Sequence, residues 1–227
     1  MQKRYIPVVF LLAVLLVLFA HFGARVAAQP AFTYAEEEKK IYLTFDDGPS
    51  TVVTGRILDT LKEKNVKATF FIVSDRALSR RETLRRIAAE GHTLGVHSAT
   101  HNYREIYASK DALLKDIQTC SSVIEKTTGV TPRVYRFPGG GCGHANEYSP
   151  AVREQGYRII SWNAVCGDEE ISNASAETLI KTARETAQGR SSVVMLLHDS
   201  AYRKTTAEAL PDIIEYFRGQ GYTFCAF

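Results

Sequence analysis

From Ile41 to the C-terminal Phe227, short β-rich apolar runs alternate with amphipathic stretches about seven times, which restricts the chain to an α/β architecture on a mainly parallel sheet. The runs are Ile41–Phe45, Thr69–Val73, Thr93–Val96, Arg133–Phe137, Arg158–Trp162, Ser192–Leu197 and Tyr222–Phe227. Between them, residues 53–64, 81–90, 110–127, 176–188 and 205–218 repeat apolar side chains at three- and four-residue spacing and are predicted helices. Ser109 and Ser175 are the predicted N-caps of two of them, and Gly91, Gly129, Gly156, Gly189 and Gly219 punctuate the far ends. An open doubly wound sheet and a closed or nearly closed barrel both satisfy this pattern, and periodicity does not separate them.

With 227 residues, 45% of them hydrophobic, the chain suffices for one core-bearing domain and is short for two. Residues 1–28 read as a targeting segment. Lys3 and Arg4 precede the nearly uncharged apolar run from Ile6 to Phe22, and Val26-Ala27-Ala28 supplies small residues for cleavage before Gln29. A signal peptide or an N-terminal membrane anchor is expected, so the protein is expected to be exported, either extracellular or anchored to the outer face of the cytoplasmic membrane, with no other membrane contact. Residues 29–39 form a polar linker carrying Glu36, Glu37 and Glu38, and residues 40–227 form the predicted domain.

The formal charge of +3 includes Lys3, Arg4 and Arg25, while no acid precedes Glu36, so the chain beyond residue 28 balances 25 basic against 25 acidic residues. Such neutrality argues against nucleic acid, which is held by Lys and Arg at its phosphates, and leaves an uncharged sugar polymer open. A monomer is expected. Export permits disulfides, and Cys120, Cys142, Cys166 and Cys225 allow three full pairings. No two of them have Cys-x-x-Cys spacing, which argues against a cysteine metal site, and Cys120 and Cys225 read as buried and unpaired.

Chemistry-bearing residues gather behind the runs. Asp46 and Asp47 follow the first, His97 and His101 the third, Arg136 and Pro138 the fourth, Trp162 to Asp168 the fifth, and His198 and Asp199 the sixth. All are carboxyl ends of predicted strands, the face on which either α/β architecture builds its active site. His97 and His101, four apart, suit two imidazoles on one metal ion, and Asp47 is the natural third ligand. A carboxylate with two imidazoles leaves positions open on one divalent cation, Zn²⁺ first, with Co²⁺ or Ni²⁺ as substitutes. Two adjacent carboxylates become tolerable if a cation takes Asp47 and the Arg136 guanidinium pairs with Asp46. Asp46 then stays free as a base, and His198, held protonated by Asp168, suits the acid. Gly139 in "RFPGGG" lets the backbone approach closely enough for its N–H to stabilise an oxyanion. The plain alternatives are an Asp-Gly-Pro turn, a solvated histidine face and a Gly-rich loop with a surface arginine.

In order, Thr44-Phe45-Asp46-Asp47-Gly48-Pro49, His97-Ser98-Ala99-Thr100-His101, Arg136-Phe137-Pro138, Trp162-Asn163 through Asp168, and Leu197-His198-Asp199 closely resemble the five motifs of the polysaccharide deacetylases, carbohydrate esterase family 4 (the NodB homology domain). The resemblance runs from about Lys40 to Phe227. It implies a distorted seven-stranded, TIM-like (β/α) barrel, with Asp46 as base, Asp47, His97 and His101 as metal ligands, and Arg136 holding the base. It further implies His198 as acid, Asp168 tuning it, and Gly139 completing the oxyanion site. The implied reaction is metal-assisted removal of N-acetyl groups from a glycan, with release of acetate. Cell-wall peptidoglycan, at N-acetylglucosamine or N-acetylmuramic acid, is the expected substrate, and chitin oligomers, poly-N-acetylglucosamine or xylan are the alternatives. A non-catalytic wall-binding protein on the same fold is the reading from another class.

The sequence departs from the family pattern at two places. Glu169 follows Asp168 where many members have Trp, and Gly139 and Gly140 stand where an aromatic is frequent, so the aromatic wall of the site is absent or supplied by Trp162. Cys142 and Cys166 fall in the third and fourth motif loops, and a disulfide between them is expected to pin those loops.

Overall fold

The structure is a computed structural model that describes residues 38–227. The expected targeting segment and most of the linker lie outside the described residues. Among those residues no helix is long and apolar enough to cross a membrane.

Strand and helix alternate along the chain: β1 (Lys40–Asp46), α1 (Val53–Glu63), β2 (Thr69–Val73), α2 (Ser74–Leu78), α3 (Arg81–Ala89), β3 (Thr93–Ser98), α4 (Tyr103–Ile106) and α5 (Lys110–Thr128). After these come β4 (Val134–Tyr135), a 3₁₀ turn (Pro138–Gly141), α6 (Ala145–Glu154), β5 (Arg158–Ile159), β6 (Ala164–Val165), α7 (Ala176–Ala187), β7 (Ser192–His198), α8 (Lys204–Gly219) and β8 (Thr223–Cys225). Seven strands run β5-β4-β3-β2-β1-β7-β6, every pairing parallel, and β8 adds to β1. The outer strands β5 and β6 pair with β4 and β7 and not with each other, so the sheet curls into a barrel with one open seam. This is the distorted (β/α) barrel, not the doubly wound sheet.

Both faces of the strands are covered, which is why they read as nearly continuous apolar runs. Ile41, Leu43 and Phe45 of β1, Phe70 and Ile72 of β2, and Val193, Met195 and Leu197 of β7 pack outward in one cluster with the helices. From the helix side, α1 contributes Ile57, Leu58 and Leu61 and α8 contributes Leu210, Ile213, Ile214 and Phe217, at the three- and four-residue spacing of an apolar stripe. Burying one such Leu or Ile stabilises the domain by about 1.5–3 kcal/mol. The alternate residues turn inward. Phe71, Val134 and Ile160 form a small separate cluster inside the curl. The same two-residue period carries Asp46, His97, Arg136 and His198 to the inner face at the carboxyl ends.

The expected N-caps form: the Ser109 hydroxyl accepts the Ala112 N–H at 3.1 Å, and that of Ser175 accepts the Thr178 N–H at 3.2 Å. Gly129 caps α5 in the left-handed region at φ 76°. At the end of α8 the left-handed residue is Gly221 and not Gly219, which is still helical. The predicted fifth run, Arg158–Trp162, breaks after Ile159, and the chain resumes as β6 beside β7. The carbonyls of Ile160 and Ser161 at that break accept from the Arg136 guanidinium, while the Ile160 N–H still donates to the Tyr135 carbonyl of β4 at 2.8 Å. The short helices α2 and α4 and the helix α6 are additional to the predicted ones.

The Cys142–Cys166 disulfide does not form; Cys120, Cys142, Cys166 and Cys225 are all free thiols. Cys166 is wholly buried in the main apolar cluster, whereas Cys142 is exposed next to Gly139, so the two sit in different environments. Cys225 is half-buried.

Candidate active site

Strand register brings the site together. Asp46, the last residue of β1, lies opposite His198, the last of β7, and Val96 of β3 lies opposite Tyr135 of β4, directly before Arg136. Arg136 is 1% exposed, a position a guanidinium tolerates only when its donors are used. They are: Nη1 donates to Asp46 Oδ1 at 2.9 Å and to the Thr44 hydroxyl at 2.8 Å, Nε to the Ile160 carbonyl and Nη2 to the Ser161 carbonyl, each at 3.2 Å. Its flat face lies 4.3 Å from the centre of the Phe71 ring. Asp46 is therefore a buried carboxylate with one oxygen fixed by a cation.

Asp47 takes a left-handed conformation, φ 75°, which turns its side chain away from that of Asp46. His101 is left-handed as well, φ 61°, and each such non-glycine residue costs about 1 kcal/mol or more. These two strained residues converge with His97. Nε2 of His101 lies 3.0 Å and Nε2 of His97 3.8 Å from Oδ1 of Asp47, and the three ligand atoms fall within 4.8 Å of one another. Three ligands of one Zn²⁺ sit about 3.3 Å apart, given bonds of about 2.0–2.1 Å, so the spacing suits a divalent cation. The buried Oδ1 of Asp47 accepts no hydrogen bond, an acceptor without a donor that such a cation would satisfy. His97 Nδ1 faces the Arg136 carbonyl at 2.9 Å, which leaves Nε2 as the free lone pair when Nδ1 carries the proton. Burial pushes the His101 imidazole below its ordinary pKa although Asp47 pulls it up, and a neutral ring is what a ligand must be.

At the other side of the site the His198 imidazole is held from both ends. Asp168 Oδ1 lies 2.8 Å from Nδ1, and Glu169 Oε2 lies 2.8 Å from Nε2. Asp168 itself accepts the His198 backbone N–H at 2.8 Å and the Thr206 hydroxyl at 2.7 Å, which fixes its orientation. Burial alone would lower the His198 pKa; the two carboxylates outweigh it and raise it to about 11. The same bond draws Glu169 down to about 2.

Pro138 is buried and its carbonyl accepts the Tyr107 O–H at 2.7 Å, anchoring the turn that carries Gly139. Gly139 sits at φ 56°, where a side chain is strained, and a Cβ there would come within 3.0 Å of both the Tyr103 hydroxyl and Cys142 Sγ. Trp162 is half-buried in the break between β5 and β6, its ring 5.6 Å from the Arg136 guanidinium and 3.5 Å from where a Cβ of Gly140 would be. Asp46, Asp47, His97, His101, Arg136, Asp168 and His198 are thus brought together at the carboxyl ends of the strands, with Pro138, Gly139 and Trp162 beside them.

The Polysaccharide deacetylase family model matches residues 33–160. The chain belongs to the polysaccharide deacetylase family. It is 33% identical over 195 residues to the peptidoglycan-N-acetylglucosamine deacetylase PgdA of Listeria monocytogenes, covering 86% of this chain and 39% of that protein. A Bacillus cereus peptidoglycan-N-acetylglucosamine deacetylase is 31% identical, covering 82% of this chain and 85% of its own length. Among solved structures, the catalytic domain of peptidoglycan N-acetylglucosamine deacetylase from Eubacterium rectale superposes with a TM-score of 0.78 at 32% identity, covering 88% of this chain and 93% of that one. The chain therefore spans well under half of PgdA and most of the other two.

Four features of this deacetylase fold add contacts to the residues read from the sequence. Arg76 of α2 donates to the Asp47 carbonyl and lies 3.4 Å from its Oδ1. Asp116 of α5 accepts from the Ser98 hydroxyl and the Ala99 N–H, at 3.1 and 3.0 Å, and so shapes the loop between the two histidines. Asp199 is wholly buried under the Asp-Asp-Gly-Pro turn, takes the Thr54 hydroxyl on Oδ2 at 2.6 Å, and approaches Gly48 so closely that a Cβ there would be 2.1 Å away. The fourth is Glu169 on His198. Asp199 carries a sequence signal as part of the "LHD" motif, and Glu169 carries one as the departure that follows Asp168. An acid on a helix well beyond the histidine loop, or an arginine on a short helix before it, reads as ordinary surface charge.

Proposed function

We propose that this chain hydrolyses N-acetyl groups of cell-wall peptidoglycan, releasing acetate and leaving a free amine on the sugar. The observation that carries this reading is the division of labour between neighbouring aspartates: Asp46 bound to a buried arginine, Asp47 facing two imidazoles without a hydrogen-bond donor. A non-catalytic protein would have no use for that arrangement, in which strained backbone and two buried charges are kept together.

Asp47, His97 and His101 would hold the divalent cation, for which Zn²⁺ fits the donor set best. When bound, the cation supplies Lewis acidity, polarising the acetyl carbonyl and acidifying a water. Asp46 takes the proton of the attacking water, its free oxygen held towards the cleft because Arg136 occupies the other. The Gly139 N–H receives the negative charge that develops on the acetyl oxygen. His198 gives the proton on Nε2 to the sugar nitrogen as the carbon–nitrogen bond breaks, and Asp168 keeps the imidazole charged and oriented for that step. Water is added across one amide bond, and acetate and amine leave.

Peptidoglycan is the favoured polymer because PgdA, the Bacillus cereus relative and the Eubacterium rectale domain all carry that substrate in their names. The proposed organisation is residues 1–28 as signal peptide or anchor, 29–39 as linker and 40–227 as the catalytic domain of an exported protein; the cationic start and apolar run support it. Mass spectrometry of muropeptides, chitin oligomers and acetylated xylan after incubation with the protein and Zn²⁺ tests the reading. Loss of acetyl from muropeptides is expected, and activity confined to xylan esters would refute the peptidoglycan assignment.

A further inference from the structure

Glu169 stands where the chemistry needs an empty place. His198 offers one nitrogen to the cleft, Nε2, because Nδ1 is taken by Asp168, and Glu169 Oε2 covers that nitrogen at 2.8 Å. A sugar nitrogen receiving the proton must come to the same hydrogen-bonding distance, so substrate and Glu169 compete for one position. The Glu169 side chain is 54% exposed, against 3% for Asp168, so it can swing aside while its neighbour cannot. Swung aside, it stays at the rim of the cleft as a carboxylate. The groups that face it there are His198, Arg203 and His101, with Tyr103 near. Arg203 donates Nη1 to the Asp168 carbonyl at 2.5 Å and keeps its charge, and together with His198 it holds Glu169 ionised at that rim.

From these contacts we infer that Glu169 is a specificity-determining residue, which makes the site select N-acetylglucosamine units over N-acetylmuramic acid units of the glycan. The inference rests on the deacetylase reading above. The two sugars are alike at the acetamido carbon and differ at the next one, where N-acetylglucosamine has a hydroxyl and N-acetylmuramic acid a lactyl ether ending in a carboxylate. A carboxylate displaced by the acetamide would lie beside that next carbon, where it would accept a hydrogen bond from a hydroxyl and repel a second carboxylate at the partly exposed rim. Apolar walls would discriminate between the two sugars only by size, whereas a charge adds rejection that weakens with salt.

The test uses the purified protein with added Zn²⁺ and two probes: N-acetylchitopentaose, and glycan strands stripped of peptides so that the lactyl carboxylates are free. Mass spectrometry of the digested strands identifies the sugar that lost acetyl. The wild type is expected to act on chitopentaose and on the N-acetylglucosamine units of the strands. Glu169→Gln and Glu169→Ala are expected to raise the ratio of N-acetylmuramic acid to N-acetylglucosamine turnover by about tenfold or more, with the rise in kcat/KM carried mainly by KM. High salt should raise that ratio in the wild type and leave both variants unmoved. A ratio unchanged in both variants, equal attack of the wild type on both sugars, or loss of all turnover in both variants would overturn the role of Glu169. No acetate from either probe with the wild type would instead sink the deacetylase reading itself.

Discussion

Asp46 and His198 end neighbouring parallel strands in direct register, and the Asp46 carbonyl accepts the N–H of Asp199 at 3.1 Å. The proposed base and acid are thus spaced by a β-ladder, about 4.8 Å between strands, and not by loops. Asp46→Asn keeps the shape and removes the base. It should lower acetate release by about a hundredfold or more, in the range expected for general base catalysis, while calorimetry still finds Zn²⁺ bound. Undiminished turnover would disprove the assignment.

Removing the cation should cost both turnover and stability. Chelation is expected to abolish acetate release, and a cation at about a hundred times its Kd should stabilise the fold by about 2.7 kcal/mol. His101→Ala should weaken binding and shrink that thermal shift, measured by the melting temperature with and without Zn²⁺. An equal shift in the variant would exclude His101 as a ligand.

The acid should be protonated across the neutral range, since Asp168 and Glu169 raise His198 to about 11 against the pull of burial. Asp168→Asn removes the buried partner, so the alkaline limb of kcat/KM should move to lower pH in the variant. For stability the sign runs the same way: a histidine whose folded pKa is raised contributes fully below its unfolded value of about 6.5, and that contribution fades as pH rises towards about 11. Chemical denaturation at several pH values, comparing the variant with the wild type, checks both slopes.

Asp199 acts in the same sense over a lower pH window. Complete burial pushes its pKa up to about 7, with the Asp47 and Asp46 charges adding to this, so the folded chain binds a proton more tightly than the unfolded chain does. Stability should then fall as pH rises from about 4 to about 7, by a few kcal/mol at most. Asp199→Asn should flatten that slope in the cation-free protein; an unchanged slope would assign it to other groups.

Gly95, on the inner face of β3, leaves room for Phe71, whose ring would lie 2.6 Å from a Cβ at that position. Phe71 in turn supports the Arg136 guanidinium. Gly95→Ala should destabilise the domain by about 1–3 kcal/mol and depress turnover, and pairing it with Phe71→Leu should restore part of the stability. The melting temperatures of the three variants decide it.

The five strand-end motifs are legible because each functional side chain sits close behind an apolar run, and the run's two-residue period already says which way it points. Asp46, Asp47, His97, His101, Arg136 and His198 can be named on that basis, with the α/β class and two N-caps. The partners that reach across the fold cannot. Asp116 comes from a helix and Arg76 from a short helical turn, and both look in sequence like any solvated charge. The break after Ile159 is equally silent in the residues, since the guanidinium that takes the carbonyls there, that of Arg136, comes from another strand.

The sequence by itself determined the strands, their inward and outward faces and the chemistry waiting at their ends, because burial and pleat are local and periodic. Tertiary structure alone decided that the sheet curls and leaves a seam, that Cys142 and Cys166 stay apart, and that Glu169 rests on the proton of His198. Those outcomes depend on distances between residues far apart along the chain, which only close packing of the folded domain establishes.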